Sequence, residues 1–197
     1  MPTSATSFST GLILCATSFS LGAIYSNWAY DYYTLWTSHP TNESFALSLS
    51  HYQTWANMPT FLHHVHHFII GLGFLGLFIK LYKPSESNTL FDGGSLFLYV
   101  IAVAFYISNL QRGVFSAVAG EWGDVDEHTG INVIAATQVF IVLVLLGVVG
   151  LQFGQYWAEL EDATIRAKAD AEEIVSEEKD AEPEKTEKPI KESKKTK

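Results

Sequence analysis

Apolar residues form four long runs between positions 8 and 153, and polar segments separate these runs. A helix needs about 20 mostly apolar residues to cross the hydrocarbon core of a bilayer. The fourth run is the most apolar, whereas the first and third are shorter and more polar, as expected for helices that pack on neighbours. The pattern predicts four transmembrane helices, at about residues 8–27, 61–82, 94–110 and 131–153.

The chain changes character after the fourth run. Residues 161–197 hold nine of the 12 basic residues and 12 of the 21 acidic ones. The segment that begins at Ala158 has a helix-forming composition, whereas the sequence after Ala181 combines prolines with many charges and lacks aromatic residues, which is typical of disorder. The predicted fold class is an all-α integral membrane protein, with a four-span domain at 1–157 and a partly helical, largely disordered tail at 158–197.

The distribution of basic residues predicts the orientation in the membrane. Lys80 and Lys83 flank the connection 83–93, whereas the connection 26–60 contains no Lys or Arg and the connection 111–130 contains one Arg and four acids. Connections rich in Lys and Arg remain in the cytosol. We therefore expect 83–93 and both termini to be cytosolic, in a multi-pass protein.

Charge and composition exclude several classes of function. The net charge of −9 and the mixed signs in the tail argue against nucleic-acid binding. The predicted spans carry almost no charge to bury, whereas ion-coupled transporters usually need a charge at mid-membrane. The sequence shows no catalytic set and no phosphate-binding loop, and its one cysteine, Cys15, allows no Cys-based metal site. We expect neither an enzyme nor a cofactor.

A cluster of four histidines opens the second predicted span, in the segment His63–His67. His63 and His67 share a helix face, and two imidazoles at this spacing can bind one metal ion. The sequence has no HExxH motif and no further histidine box, so we favour a polar helix start at the membrane surface. A metal site and a pH sensor remain as alternatives.

Two short signals concern targeting and modification. The chain ends in Lys194-Lys195-Thr196-Lys197, and lysines three and four places from the carboxyl end resemble the dilysine retrieval signal of endoplasmic-reticulum (ER) membrane proteins. Asn42 begins an N-glycosylation triplet in the connection 26–60, which we expect to be lumenal.

Several ordered stretches of the chain resemble one known family. The similarity extends over residues ~10–157 and includes the first span, the first connection and the segment before the fourth span. The stretches resemble the fungal membrane chaperones that package amino-acid permeases for exit from the ER. They are Ala16–Gly22, Tyr30–Tyr32, His51–Thr54, Trp122–Gly130, Val133–Ala136 and Gln138.

The resemblance implies a non-enzymatic ER chaperone with four spans and cytosolic termini. Such a protein binds newly inserted spans of amino-acid permeases, assists their folding and packaging into ER-to-Golgi vesicles, and presents its tail to vesicle coat components. We expect distributed client contacts without a sharp pocket. The alternatives are a structural tetraspan subunit of a resident complex and, less favoured, a histidine metal protein. The candidate client-contact residues from the matching stretches are Tyr30, Asp31, Tyr32, His51, Trp122 and Gly123.

Overall fold

The computed structural model describes residues 4–82 and 89–181, and almost all of them are helical. Two π-helical segments interrupt the α-helices, one after the first helix and one between the fourth and fifth. The elements in chain order are α1 (Ser4–Asp31), a π-helical segment (Tyr32–Trp36), α2 (Asn42–Ala56), α3 (Thr60–Tyr82), α4 (Thr89–Phe105), a second π-helical segment (Tyr106–Gln111), α5 (Arg112–Ala119) and α6 (Glu127–Ala181).

Four continuous helical stretches of the described chain are long and apolar enough to cross a membrane. This confirms the all-α membrane fold with four spans. The helical stretches are longer than the apolar runs because polar residues at both ends continue the same helices. The four stretches are Ser7–Trp36, Thr60–Tyr82, Thr89–Ala119 and Glu127–Ile174.

The third and fourth spans differ most from the sequence prediction. Helix α4 begins at Thr89, so Asp92 lies in the helix and not in the connection where we had placed it. Helix α6 has 55 residues and does not end at residue 153. About 20 residues are enough to cross the hydrocarbon core, so only part of α6 can lie in the apolar layer.

Helix α2 lies in the first connection and was not predicted from the sequence. Its N-cap residue Thr41 accepts a hydrogen bond from the Ser44 amide at 3.2 Å, which satisfies one free N–H of the first turn. Helices α1 and α5 end beside α2, and α3 and α6 begin there. We call this the α2 end of the bundle, and we call the opposite end, where α3 and α4 are connected, the hairpin end.

Glycines allow α1, α3 and α4 to approach closely. A Cβ atom on Gly76 would lie 2.8 Å from the Ser9 carbonyl oxygen, and one on Gly73 would lie 2.2 Å from the Tyr99 hydroxyl. These positions therefore accept no larger residue without a shift. In a bilayer the hydrophobic effect does not drive helices together, because lipid tails are as apolar as the side chains. Small residues instead support association by letting helices pack closely. Gly71, in contrast, has no such neighbour and faces outward.

The chain divides into two compact units between Tyr156 and Trp157. In the second unit, α6 continues to Ala181 as a helix. Its side chains are exposed from Leu160 to Ile174. The unit therefore forms no apolar core within the described residues.

Candidate functional site

A buried polar cluster joins three helices at the α2 end. The carboxylate of Asp31, on α1, accepts a hydrogen bond from the Tyr52 hydroxyl on α2 and one from Gln138 Nε2 on α6 at 3.0 Å. Gln138 Nε2 also donates to the Tyr52 oxygen at 2.7 Å. Asp31, Tyr52 and Gln138 are 2%, 0% and 0% exposed. A buried charge is costly unless donors satisfy it, and here two donors do so.

The hydrogen bonds of this cluster run in one direction. An ionised carboxylate only accepts, so the amide nitrogen of Gln138 must face Asp31 and its Oε1 must face Asn27. Asn27 Nδ2 donates to that oxygen at 2.7 Å, which leaves Asn27 Oδ1 as an acceptor for His51 Nε2 at 2.8 Å. His51 therefore carries a proton on Nε2. We call these residues the latch: Asn27, Asp31, His51, Tyr52 and Gln138.

Further contacts hold α2 on the bundle. Ser48 donates to the Tyr30 carbonyl at 3.1 Å, and Gln53 donates to the Ala117 carbonyl at 2.9 Å. The rings of Phe45 and His128 stack with their centroids 3.9 Å apart. Through the latch and these contacts, α2 touches α1, α5 and α6.

Burial keeps the latch groups in their hydrogen-bonding forms. Burial lowers the pKa of His51, so the ring is neutral near neutral pH and its Nε2–H remains the single donor. Burial, followed by the charge of Asp31, raises the pKa of the Tyr52 hydroxyl. Tyr52 therefore stays protonated and donates to Asp31.

A second buried polar cluster lies at the hairpin end. Lys80 on α3 lies 3.0 Å from Asp92 Oδ1 on α4, and both side chains are 3% exposed. Lys80 Nζ also donates to Gln152 Oε1 at 2.7 Å and to Gln155 Oε1 at 2.6 Å, so all three N–H groups have partners. Gln155 donates in turn to Asp92 Oδ2 at 3.3 Å, and Gln152 to Ser95 at 2.9 Å. We call these residues the clasp: Lys80, Asp92, Ser95, Gln152 and Gln155.

The two clusters overturn one expectation from the sequence. The prediction that the spans bury almost no charge is wrong, because Asp31, Lys80 and Asp92 are all buried. The error arose because each lies near a helix end, where sequence reasoning assigns charges to the water interface.

A cavity of about 50 Å³ lies within the bundle, near the latch. Residues from six elements line it, including Asn27 of the latch, Trp55 of α2 and Tyr106 of the second π-helical segment. The lining is mostly apolar. A volume of this size holds a few water molecules or part of a side chain, and not a helix.

Three of the four histidines of α3 contact aromatic residues or backbone. His67 Nε2 lies 3.2 Å from the Tyr106 hydroxyl, and the ring centroid of His66 lies 5.1 Å from that of Tyr106. His63 contacts the Ala56 carbonyl at 3.4 Å, and His64 is exposed. Within residues 4–82 and 89–181, no group of three or more His, Cys, Asp or Glu residues could hold a metal ion.

The structure brings together only some of the candidate contact residues. Asp31 and His51 belong to the latch, and the Tyr30 ring stacks on His51 at 3.9 Å. Tyr32 is 57% exposed and packs against Tyr33 instead.

The other predicted sites lie away from the latch. Trp122, in the connection before α6, packs on Gly130 of α6. Gly123, in the same connection, has a φ of 69°, which favours glycine. Asn42 is exposed at the first position of α2. Lys194 and Lys195 lie outside the described residues.

Sequence comparison places the chain in a family. A family model described as ER membrane protein SH3, of the SHR3 chaperones, matches residues 4–194. The chain belongs to the SHR3 chaperone family. No curated protein and no solved structure matches it significantly. Membership makes the chain an ER membrane protein of a chaperone family, whose clients are membrane proteins and whose surroundings are a lipid bilayer.

Sequence reasoning missed most of the side chains in the two clusters. Asn27 was not singled out, and the structure pairs it with Gln138, 111 positions away. Gln152 and Gln155 gave a usable signal, because two amides three residues apart in an apolar span share a helix face and need buried partners. Their partner Lys80 could not be identified from spacing.

Proposed function

We propose that this SHR3 family member assists the folding of amino-acid permeases in the ER membrane and their packaging into vesicles bound for the Golgi. The match of the family model along residues 4–194 is the observation that carries the proposal. The ordered stretches that resemble permease-packaging chaperones add the client class. The protein acts by binding, without catalysis.

The chemistry of a permease explains why such help is needed. Its early spans contain polar, substrate-lining groups and broken helices that lack partners until later spans are inserted. Unsatisfied polar groups are costly in hydrocarbon. A small bundle that offers hydrogen-bonding groups and apolar faces can shield those spans for a limited time. The four candidate spans, with polar groups buried at both ends of the bundle, are suited to this task.

We further propose that both termini are cytosolic and that the tail faces the vesicle coat components. In this orientation the α2 end is lumenal and the hairpin end is cytosolic, and Asn42 is accessible for glycosylation. Protease treatment of sealed microsomes should remove an epitope placed after residue 197 and should spare one inserted next to Asn42. The reverse pattern would contradict the orientation.

Lys194 and Lys195 are proposed to return escaped molecules to the ER. Changing both lysines to serine should move a large fraction of the protein to later compartments, whereas Lys188→Ser/Lys191→Ser should leave it in the ER. Cell fractionation measures the difference. Unchanged location of the first variant would remove the retrieval signal from the proposal.

Deletion of the protein tests the main proposal. Amino-acid permeases should then accumulate in the ER as aggregates, while an unrelated membrane protein that uses the same vesicles still reaches the cell surface. Surface labelling with quantitative detection measures both. Normal surface delivery of every amino-acid permease tested would refute the assignment.

A further inference from the structure

Helix α2 has the attachments of a movable element. It is joined to α1 and α3 by non-helical segments at residues 37–41 and 57–59, so both its ends can bend. It does not cross the bundle, and the contacts described above attach it mainly through side chains. The two π-helical segments lie at the α2 end, one directly before its connector and the other lining the cavity. Such segments occur frequently at functional sites.

Removal of α2 would free two hydrogen-bond acceptors of the latch and one of its donors. Asp31, Gln138 and Asn27 lie on α1 and α6 and stay together, whereas Tyr52 and His51 leave with α2. Asp31 Oδ1 then loses the Tyr52 hydroxyl, and Asn27 Oδ1 loses His51 Nε2–H. The freed groups are therefore two acceptors, together with the Gln138 N–H that had donated to the Tyr52 oxygen, in a layer where unsatisfied polar atoms are costly.

The freed acceptors define the chemistry of the group that can replace α2. A span with hydroxyl or amide side chains supplies the donors that Tyr52 and His51 supplied. An entirely apolar span supplies none and leaves both acceptors unsatisfied. Asn27 and Trp55 of α2 both line the cavity, so removal of α2 would open the cavity on that side.

We propose that α2 is a strap that opens to admit a client span carrying hydrogen-bond donors, and that closure of the latch releases the client. This inference rests on the proposed function, since it assigns the client contact to one end of the bundle. Opening exchanges one set of donors for another, so neither state leaves a buried acceptor without a partner. Closure restores Tyr52 and His51 to their acceptors and expels the client.

A cross-linking experiment with a lockable strap tests the proposal. In a Cys15→Ser background, Phe45→Cys and His128→Cys replace two rings that stack at 3.9 Å, and a short bis-maleimide joins the thiols. A diazirine analogue of leucine replaces either Leu110, which lines the cavity, or Leu143, which is 60% exposed on α6. Microsomes then synthesise an amino-acid permease, and illumination captures its contacts.

The proposal predicts permease cross-links from Leu110 in the unlocked protein and about tenfold fewer after locking, because the permease must displace α2 to reach this position. Cross-links from Leu143 should not change on locking. Equal cross-linking from Leu110 in locked and unlocked protein, or cross-links from Leu143 alone, would overturn the strap but not the chaperone function. Absence of cross-links from both positions would count against the chaperone function itself.

A labelling experiment tests the latch without any client. Ser48 is 0% exposed on the face of α2 that packs on the bundle, so a cysteine there reports opening through its reaction with a maleimide. In the same Cys15→Ser background, Tyr52→Phe should raise the labelling rate of Ser48→Cys about tenfold, because Asp31 loses a donor that only α2 provides. Tyr32→Phe, at an exposed tyrosine, is the matched control. An unchanged rate in Tyr52→Phe would contradict the role of the latch.

Discussion

The latch and the clasp solve the same problem at opposite ends of the bundle, but with different chemistry. The clasp pairs two opposite charges, Lys80 and Asp92, and all its members lie on membrane-spanning helices. The latch contains one charged group, Asp31, and depends on Tyr52 and His51 from a helix that does not span. The clasp cannot open without separating buried charges, whereas the latch can exchange its donors.

This difference suggests a division of labour between the ends. A buried ion pair contributes little net stability when compared with apolar residues, but removal of one partner is strongly destabilising. The clasp therefore fixes α3, α4 and α6 together. Neutral donors such as a tyrosine hydroxyl are lost and regained at smaller cost, which suits a contact that must form repeatedly. We expect the α2 end to handle clients and the hairpin end to remain closed.

The largest effect of a substitution on stability is expected at the clasp. Lys80→Met should lower the free energy of unfolding by about 3–5 kcal/mol, because it leaves the Asp92 carboxylate buried without its cation. Lys80→Met/Asp92→Leu should recover most of this loss, since no charge then remains unpaired. Thermal unfolding in detergent measures both variants, with Arg112→Met, at an exposed position, as the control. If the double variant were as unstable as the single one, the ion pair would not be the cause.

An intermediate effect on stability is expected at the latch, where the direction of the hydrogen bonds matters. Asp31→Asn and Gln138→Glu should each cost about 1–3 kcal/mol, because the first places two amide donors face to face and the second places two carboxylates face to face. The combined variant exchanges amide and carboxylate, so that Glu at position 138 accepts from both Asn27 and the new Asn at position 31.

Double-mutant analysis of these three variants measures the coupling between the two positions. We expect the combined variant to recover most of the stability lost in either single variant. Additive losses would show that the hydrogen bonds do not run from His51 to Asp31 as described.

The smallest effect is expected from the protonation of His51. Burial lowers the pKa of His51 in the folded protein, whereas in the unfolded chain a histidine keeps its ordinary pKa of about 6.5. Below that pH the unfolded chain therefore binds more protons than the folded protein. Stability is therefore complete above that pH and declines as the pH falls below it towards the lower folded pKa. His51→Gln keeps an N–H donor for Asn27 but does not titrate in this range.

Labelling of Ser48→Cys in a Cys15→Ser background at pH 7 and pH 5.5, corrected for the reactivity of a free thiol, measures this effect. Acid should accelerate labelling with His51 present and less so in His51→Gln. An identical acceleration in both would assign the pH effect to a group other than His51.

The parts of the fold that could be predicted are those determined by local composition. Long apolar runs identify the four spans because the bilayer sets a minimum length and excludes charge. Helix α2 was not predicted, because its apolar face is completed by α1, α5 and α6. The true helix ends were also missed, since the start of α4 holds Asp92 and two glycines, and Asp92 has its partners on other helices.

The polar clusters could be predicted even less well, because their members are far apart in sequence. Asp31 and Gln138 are 107 positions apart, and Lys80 and Gln152 are 72 apart. The family resemblance did include Asp31, His51 and Gln138, but it gave no information on which of them touch. Tyr32 and Trp122 were singled out on the same grounds, and they lie outside the latch.

The division of labour is tested most directly by permease delivery per folded chaperone molecule. The cells carry either Tyr52→Phe or Lys80→Met/Asp92→Leu as their only copy of the chaperone. In each, the amount of permease at the cell surface is divided by the amount of folded chaperone. We expect a clear fall for Tyr52→Phe, because a weak latch releases clients slowly, and an unchanged ratio for the clasp variant. A normal ratio for Tyr52→Phe together with a reduced ratio for the clasp variant would contradict the division of labour.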